Sequence, residues 1–206
     1  MAVASAPPTL VVATGNAGKL RELRRLLDGL AVDLVASADL GLPRPVEDGE
    51  TFEANALIKA RAATAATGHP SVADDSGLEV DALDGAPGVH SARWSGGDDR
   101  DNNDLLLSRL DGVPHEQRTG RFVSAVAVVA PDGRAWVERG TMEGHLLTER
   151  RGTGGFGYDP LFRAEGHERS NGELTADEKD AISHRGRALE AIRPVLVQLL
   201  AEDGPR

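Results

Sequence analysis

Hydrophobic positions in the N-terminal part of the chain switch between a strand period and a helix period. Thr9 to Ala13 (TLVVA) is a short apolar, β-branched run and predicts a buried strand. It stops at Thr14-Gly15-Asn16-Ala17-Gly18-Lys19. Leu20, Leu23, Leu26, Leu27 and Leu30 then share one helical face, opposite Arg21, Glu22, Arg24 and Arg25, with Gly29 near the end. Val32 to Ala36 reads as a second strand, and residues 37–50 as a Pro/Gly/acid-rich loop. Thr51 is placed to cap an Ala-rich helix from Phe52 to about Thr67, closed by Gly68 and Pro70. Two short strands, Ser71–Ala73 and Leu78–Val80, flank Asp74-Asp75-Ser76-Gly77.

The second half carries a helix over Asp98–Leu110. Two long strands, Arg121–Ala130 and Arg134–Gly144, are joined by Pro131-Asp132-Gly133, a hairpin signal. Gly152–Tyr158 is a glycine-dense loop, and Thr175 suits the cap of a short helix through Lys179. A final helix is expected from Ser183 to Leu200, kinked or broken at Pro194. Strand–helix alternation followed by a hairpin predicts an α/β protein with a mixed twisted sheet flanked by helices. The 206 residues suffice for one domain, with residues 1–8 as a flexible tail.

Composition narrows the chemistry. Without cysteine the chain has no disulfide, thiolate metal site or cysteine nucleophile. A net charge of -10 disfavours a nucleic-acid coating protein, yet leaves room for a small phosphorylated ligand in a local pocket. Neither a signal peptide nor an apolar run of membrane-spanning length is evident, so a cytoplasmic location with no membrane partner is the default expectation.

Five stretches carry candidate chemistry. In Thr14–Lys19 the glycines permit close approach of backbone to a ligand, while Asn16 and Lys19 supply donors to phosphate oxygens. This is not a Walker A loop, because the spacing is too short and Leu20 stands at the Ser/Thr position. Glu47, Asp74 and Asp75 form a carboxylate set of the kind that recruits Mg²⁺ beside a phosphate. Asn55 and Lys59 share one face of an apolar helix, where a buried lysine needs an anionic partner. Phe156 and Tyr158 sit among glycines, an arrangement suited to stacking on a nucleobase, with Asp159 as an acceptor for a base N–H. Lys179, His184 and Arg185 cluster at a helix start, where the helix dipole disfavours cations, and so point to an external anion or carbonyl. Each stretch alone also suits a plainer role: a turn with a solvated lysine, an Asx turn, a snorkelling lysine, aromatics anchored in the core, or solvated cations.

Together the stretches TGNAGKLREL (14–23), EDGETFEANALIKA (47–60), ADDSGLEVDALDGAPGVHSARWSG (73–96), GTGGFGYDPLF (152–162) and LTADEKDAISHRGRAL (174–189) resemble the inosine triphosphate pyrophosphatase family, also described as dITP/XTP pyrophosphatases. The resemblance implies two lobes with a cleft, a homodimer, and Mg²⁺-dependent hydrolysis of deaminated purine nucleoside triphosphates to monophosphate and pyrophosphate. It implies that Thr14, Gly15, Asn16, Ala17, Gly18 and Lys19 hold the triphosphate. Glu47 and Asp75 would bind the metal, Asp75 would also activate water, and Ser76 would touch substrate. Asp74, Asn55 and Lys59 would support that site. Phe156, Gly157, Tyr158, Asp159, Lys179, His184 and Arg185 would form the base and phosphate pocket, with Lys179 joining Lys19 on the β- and γ-phosphates. Two alternatives stay open at this point: a Maf-type pyrophosphatase for pyrimidine nucleotides, and a non-catalytic purine-nucleotide sensor.

Overall fold

The computed structural model describes residues 7–202, so all of the expected tail except Pro7 and Pro8 lies outside the described residues. A single mixed sheet has the order β2-β1-β3-β4-β5-β6. Its strands are β1 (Thr9–Val12), β2 (Asp33–Ala36), β3 (Ser71–Val80), β4 (Thr119–Val129), β5 (Ala135–Leu146) and β6 (Phe162–Ala164). β1 runs parallel to β2 and β3, whereas β5 and β6 are antiparallel. The helices are α1 (Ala17–Leu26), α2 (Phe52–Thr67), α3 (Asp99–Arg109), α4 (Ala176–Ile182) and α5 (His184–Glu202). Among the described residues, no helix is long and apolar enough to cross a membrane.

The chain divides into two compact units, with boundaries after Asp75, Ser124, Arg139 and Arg187. The first comprises residues up to Asp75, 125–139 and 188 onward; the second comprises 76–124 and 140–187. Each has its own apolar core. In the first, Leu10, Val12, Val72, Val126 and Val128 from the strands pack with Leu23 of α1 and Ile192 and Leu196 of α5. In the second, Leu78, Val80, Phe122, Met142 and Phe162 pack with Leu106 of α3. Complete burial of one such leucine contributes ~1.5–3 kcal/mol of transfer free energy.

Several boundaries differ from expectation for identifiable reasons. α1 ends at Leu26 rather than near Leu30, and Gly29 (φ 82°) takes the left-handed turn that follows. The two short strands expected around Asp74–Gly77 are one continuous ten-residue strand, β3. Consecutive aspartates stay in a buried strand here because each meets a lysine, as shown below. α5 is not interrupted at Pro194. Pro194 and Glu190, whose carbonyl loses its helical partner, both lie on the exposed face, where that carbonyl is open to solvent, while Ile192, Leu196 and Leu199 keep the core side. Other predictions hold closely. Thr51 caps α2 by accepting from the Ala54 N–H at 3.1 Å, Gly68 closes it in the left-handed region, and Thr175 caps α4 in a reciprocal capping box with Glu178.

Candidate active site

In the first unit, the turn from β1 into α1 is organised by its own side chains. Asn16 Oδ1 accepts from the N–H groups of Gly18 (2.8 Å) and Lys19 (3.1 Å), and Thr14 Oγ1 accepts from the Asn16 N–H. Two of the N–H groups expected to meet phosphate are thus already capped. The first turn of α1 carries no acid, leaving its positive dipole end uncompensated by charge. Lys19 reaches Asp74 in β3, with its ammonium 3.2 Å from Oδ1. Arg44, from the loop before α2, donates to the Gly15 carbonyl at 3.0 Å. A Cβ on Gly15 would fall 2.4 Å from the Arg44 guanidinium, so glycine is what allows that contact. Arg44 belongs to none of the five stretches and carries no local signal of this role.

α2 and β3 assemble the acidic centre. Lys59 Nζ lies 2.9 Å from Glu47 Oε2 and 2.6 Å from Asp75 Oδ1. One turn earlier on α2, Asn55 grips Gly49 from both sides: its Oδ1 accepts from the Gly49 N–H (2.9 Å) and its Nδ2 donates to the Gly49 carbonyl (3.2 Å). Asn55 therefore anchors the loop that delivers Glu47, while Lys59 takes up the carboxylate. Asp48 is exposed and Glu47 makes the contact. Lys59 is a largely buried, paired lysine, its side chain 11% exposed, rather than a snorkelling one. Burial opposes its charge, but Asp75, Asp74 and Glu47 outweigh that and hold its pKa above the usual lysine value. Burial raises the Asp75 carboxyl above the usual carboxylate range, against the opposing pull of Lys59 and Lys19.

The second unit brings together Ser76, Phe156, Asp159, Lys179 and Arg185. The Arg185 guanidinium, 1% exposed, donates to Ser76 Oγ at 2.8 Å. It also lies 5.9 Å from the centre of the Phe156 ring, and the Lys179 ammonium lies 4.8 Å from it. Asp159, 2% exposed, faces inward. Its carboxylate accepts from the Phe156 N–H (2.9 Å), from Asn171 Nδ2 (3.3 Å) and from Lys179.

Three of the residues expected at a ligand surface are largely buried against other parts of the protein. Tyr158 is a member of the second core, and its hydroxyl donates to the Ser91 carbonyl at 3.0 Å, so Phe156 alone keeps a partly open aromatic face on this loop. His184 is buried and stacks on Phe122, with ring centres 5.0 Å apart. Lys179 finds its anion in Asp159 and stands beside the Phe156 ring. Asn171 was not visible in the sequence pattern, because it lies outside the glycine loop and touches Asp159 only through the fold.

The sequence model of the Ham1 family matches residues 10–195. A protein of Corynebacterium efficiens named dITP/XTP pyrophosphatase is 55% identical over 205 residues, covering 94% of this chain and 99% of that one. One of the same name from Frankia alni is 56% identical over 200 residues, covering 93% and 98%. Among solved structures, a HAM1 protein from Coxiella burnetii superimposes with a TM-score of 0.84 at 38% identity, covering 93% of this chain and 99% of that one. A nucleoside-triphosphatase / dITP/XTP pyrophosphatase from Mycobacterium abscessus gives 0.71 at 50% identity, covering 90% and 99%. On the match of fold, sequence and motif order, the chain belongs to the Ham1 family.

Proposed function

We propose that the protein hydrolyses deaminated purine nucleoside triphosphates (ITP, dITP and XTP) to the nucleoside monophosphate and pyrophosphate, using Mg²⁺. The observation that carries this reading is the gathering of Glu47 and of Asp75, midway along β3, onto the Lys59 ammonium. The family relatives that bear the name dITP/XTP pyrophosphatase support the substrate class.

The donor set suits Mg²⁺. Among the described residues no group of three or more His, Cys, Asp or Glu is arranged for a metal, but Mg²⁺ needs only one or two carboxylates, with water and substrate oxygens completing its shell. Glu47 and Asp75 already share one cation, the Lys59 ammonium, so their geometry tolerates concentrated positive charge. They would hold the metal, which when bound supplies charge that offsets the phosphate oxygens.

The protein's own groups do the rest. Asp75 takes a proton from water as the water oxygen bonds to the α-phosphorus; the bond from that phosphorus to the α–β bridging oxygen breaks, and its electron pair leaves with pyrophosphate. Lys19, beside the turn at the start of α1, receives the charge that builds on the leaving group. Phe156 offers a stacking face for the purine. Lys179 and Arg185 at that face are donors only, so they suit the 6-oxo acceptor of hypoxanthine or xanthine and oppose the 6-amino donor of adenine. A site built on such donors can reject the mismatched analogue by ~10⁴-fold, because buried polar groups are left unpaired.

The test is pyrophosphate release from ITP, XTP, dITP, ATP and GTP, with and without Mg²⁺. Release from the first three that needs Mg²⁺ is expected; orthophosphate in its place, or no turnover of ITP and XTP, would sink the reading. In this reading the enzyme works in the cytoplasm as a homodimer, and a monomeric mass by light scattering would remove the dimer.

A further inference from the structure

α3 places Asn102 and Asn103 in its middle, where asparagine is a poor helix former and needs some compensating contact. Asn102 spends its side chain on Ser95, accepting from both its N–H and its hydroxyl at 2.8 Å. Asn103, 2% exposed, reaches the glycine loop, where its Nδ2 donates to the Gly157 carbonyl at 2.9 Å. Asp99, four residues earlier on the same helix face, accepts from the Gly157 N–H at 2.7 Å.

We propose that Asp99 and Asn103 are positioning residues that lock the turn at Gly157 and so set how selectively Phe156 reads the base. The Gly157 N–H belongs to the Phe156–Gly157 peptide, and the Gly157 carbonyl to the Gly157–Tyr158 peptide. One helix face therefore holds both peptide planes that flank the glycine. Gly157 sits at φ 61°, and glycine exchanges backbone states at little steric cost, so neither plane would be held by the residue itself. On the far side Tyr158 is fixed by its hydroxyl on the Ser91 carbonyl. On the near side Phe156 is tied to Asp159, which accepts from its N–H at 2.9 Å and donates to its carbonyl at 3.3 Å, so the α3 clamp is what ties this turn to an α-helix. A cavity of about 430 Å³ borders this turn, lined by Asp99, Asn103, Gly155, Phe156 and Gly157 among others, so Phe156 has room to move if the clamp opens. A mobile platform loses the register between base edge and donors on which discrimination depends.

The inference rests on the proposed role of Phe156 as the base platform, and its experiment separates the two. Wild type, Asn103→Asp, Asp99→Ala and Asp99→Asn are compared for kcat and KM on ITP and ATP, for binding of IMP and AMP by calorimetry, and for thermal unfolding. Asn103→Asp keeps the size but turns an acceptor toward the Gly157 carbonyl; Asp99→Asn keeps an acceptor for the Gly157 N–H. The expected result is an ITP-to-ATP preference lowered by about tenfold in Asn103→Asp and Asp99→Ala, mainly through KM for ITP. Asp99→Asn is expected to stay within about twofold of wild type, since its amide oxygen still accepts. A contact that serves stability alone would lower the unfolding midpoint and leave the preference unchanged; that result in either folded variant overturns the inference. If Asn103→Asp does not fold, Asp99→Ala decides. A wild-type enzyme with no preference for inosine over adenosine nucleotides, in turnover or in binding, overturns the base-reading role itself and the clamp with it.

Discussion

Asp75→Asn is expected to abolish pyrophosphate release from ITP and XTP while leaving the fold intact. The amide matches the carboxylate in size and its oxygen still accepts from Lys59, which is 2.6 Å away in the wild type. What it loses is the negative charge for the metal and the capacity to take a proton from water. Removal of a general base alone costs ~10²–10⁴-fold in rate, and the loss of a metal ligand at the same atom deepens that. Stability should be little affected, because burial already opposes charge on Asp75 and a neutral amide escapes that penalty. The measurement is kcat on ITP beside thermal unfolding of both proteins. Retained turnover would remove Asp75 from the base role, and a collapse of the unfolding midpoint would give it a structural role instead.

Lys59→Met should produce the second-largest loss, with a pH signature of its own. The ammonium is the largest influence holding the Asp75 pKa down against burial. Without it, Asp75 keeps its proton to a higher pH. A protonated Asp75 can neither bind metal nor accept a proton, so activity is present above its pKa and lost below it. The acid limb of kcat/KM should therefore move up relative to the wild type. Activity at any pH below the limb should fall, and raising the pH should restore part of it. Removing one partner of a buried pair can also cost ~3–5 kcal/mol, although Asp75 avoids much of that by staying protonated. A pH profile of unchanged shape and position would show that Lys59 acts otherwise than through Asp75.

The two variants probe a centre that was only half legible in the sequence. The acids were visible because two aspartates at the end of an apolar run have no ordinary place in a strand. Lys59 was visible because it interrupts an apolar helix. That these groups meet, and that Glu47 makes the contact while Asp48 stays exposed, required the loop before α2 to be pinned by Asn55 on Gly49. The purine-side reading was weaker. Phe156 and Tyr158 look alike in a glycine-rich stretch, yet one keeps an open face and the other is core. Nothing local separates them, since the choice depends on the Ser91 carbonyl, 67 positions away. His184 follows the same rule with Phe122.

Alone, the sequence determined whatever depends on neighbours along the chain. The strand and helix periods, the caps at Thr51 and Thr175, the close of α2 at Gly68 and the Pro131–Gly133 turn are all settled within a few residues, by backbone sterics and short-range hydrogen bonds. The joint order of five motifs did the same for the family. Tertiary structure decided which polar groups are buried and who neutralises them. Lys19 on Asp74, Lys59 between Glu47 and Asp75, Lys179 on Asp159, and α3 on Gly157 join residues far apart in the chain. Desolvation makes each of those pairings compulsory once the site is buried, and only the packed fold says which partner is within reach.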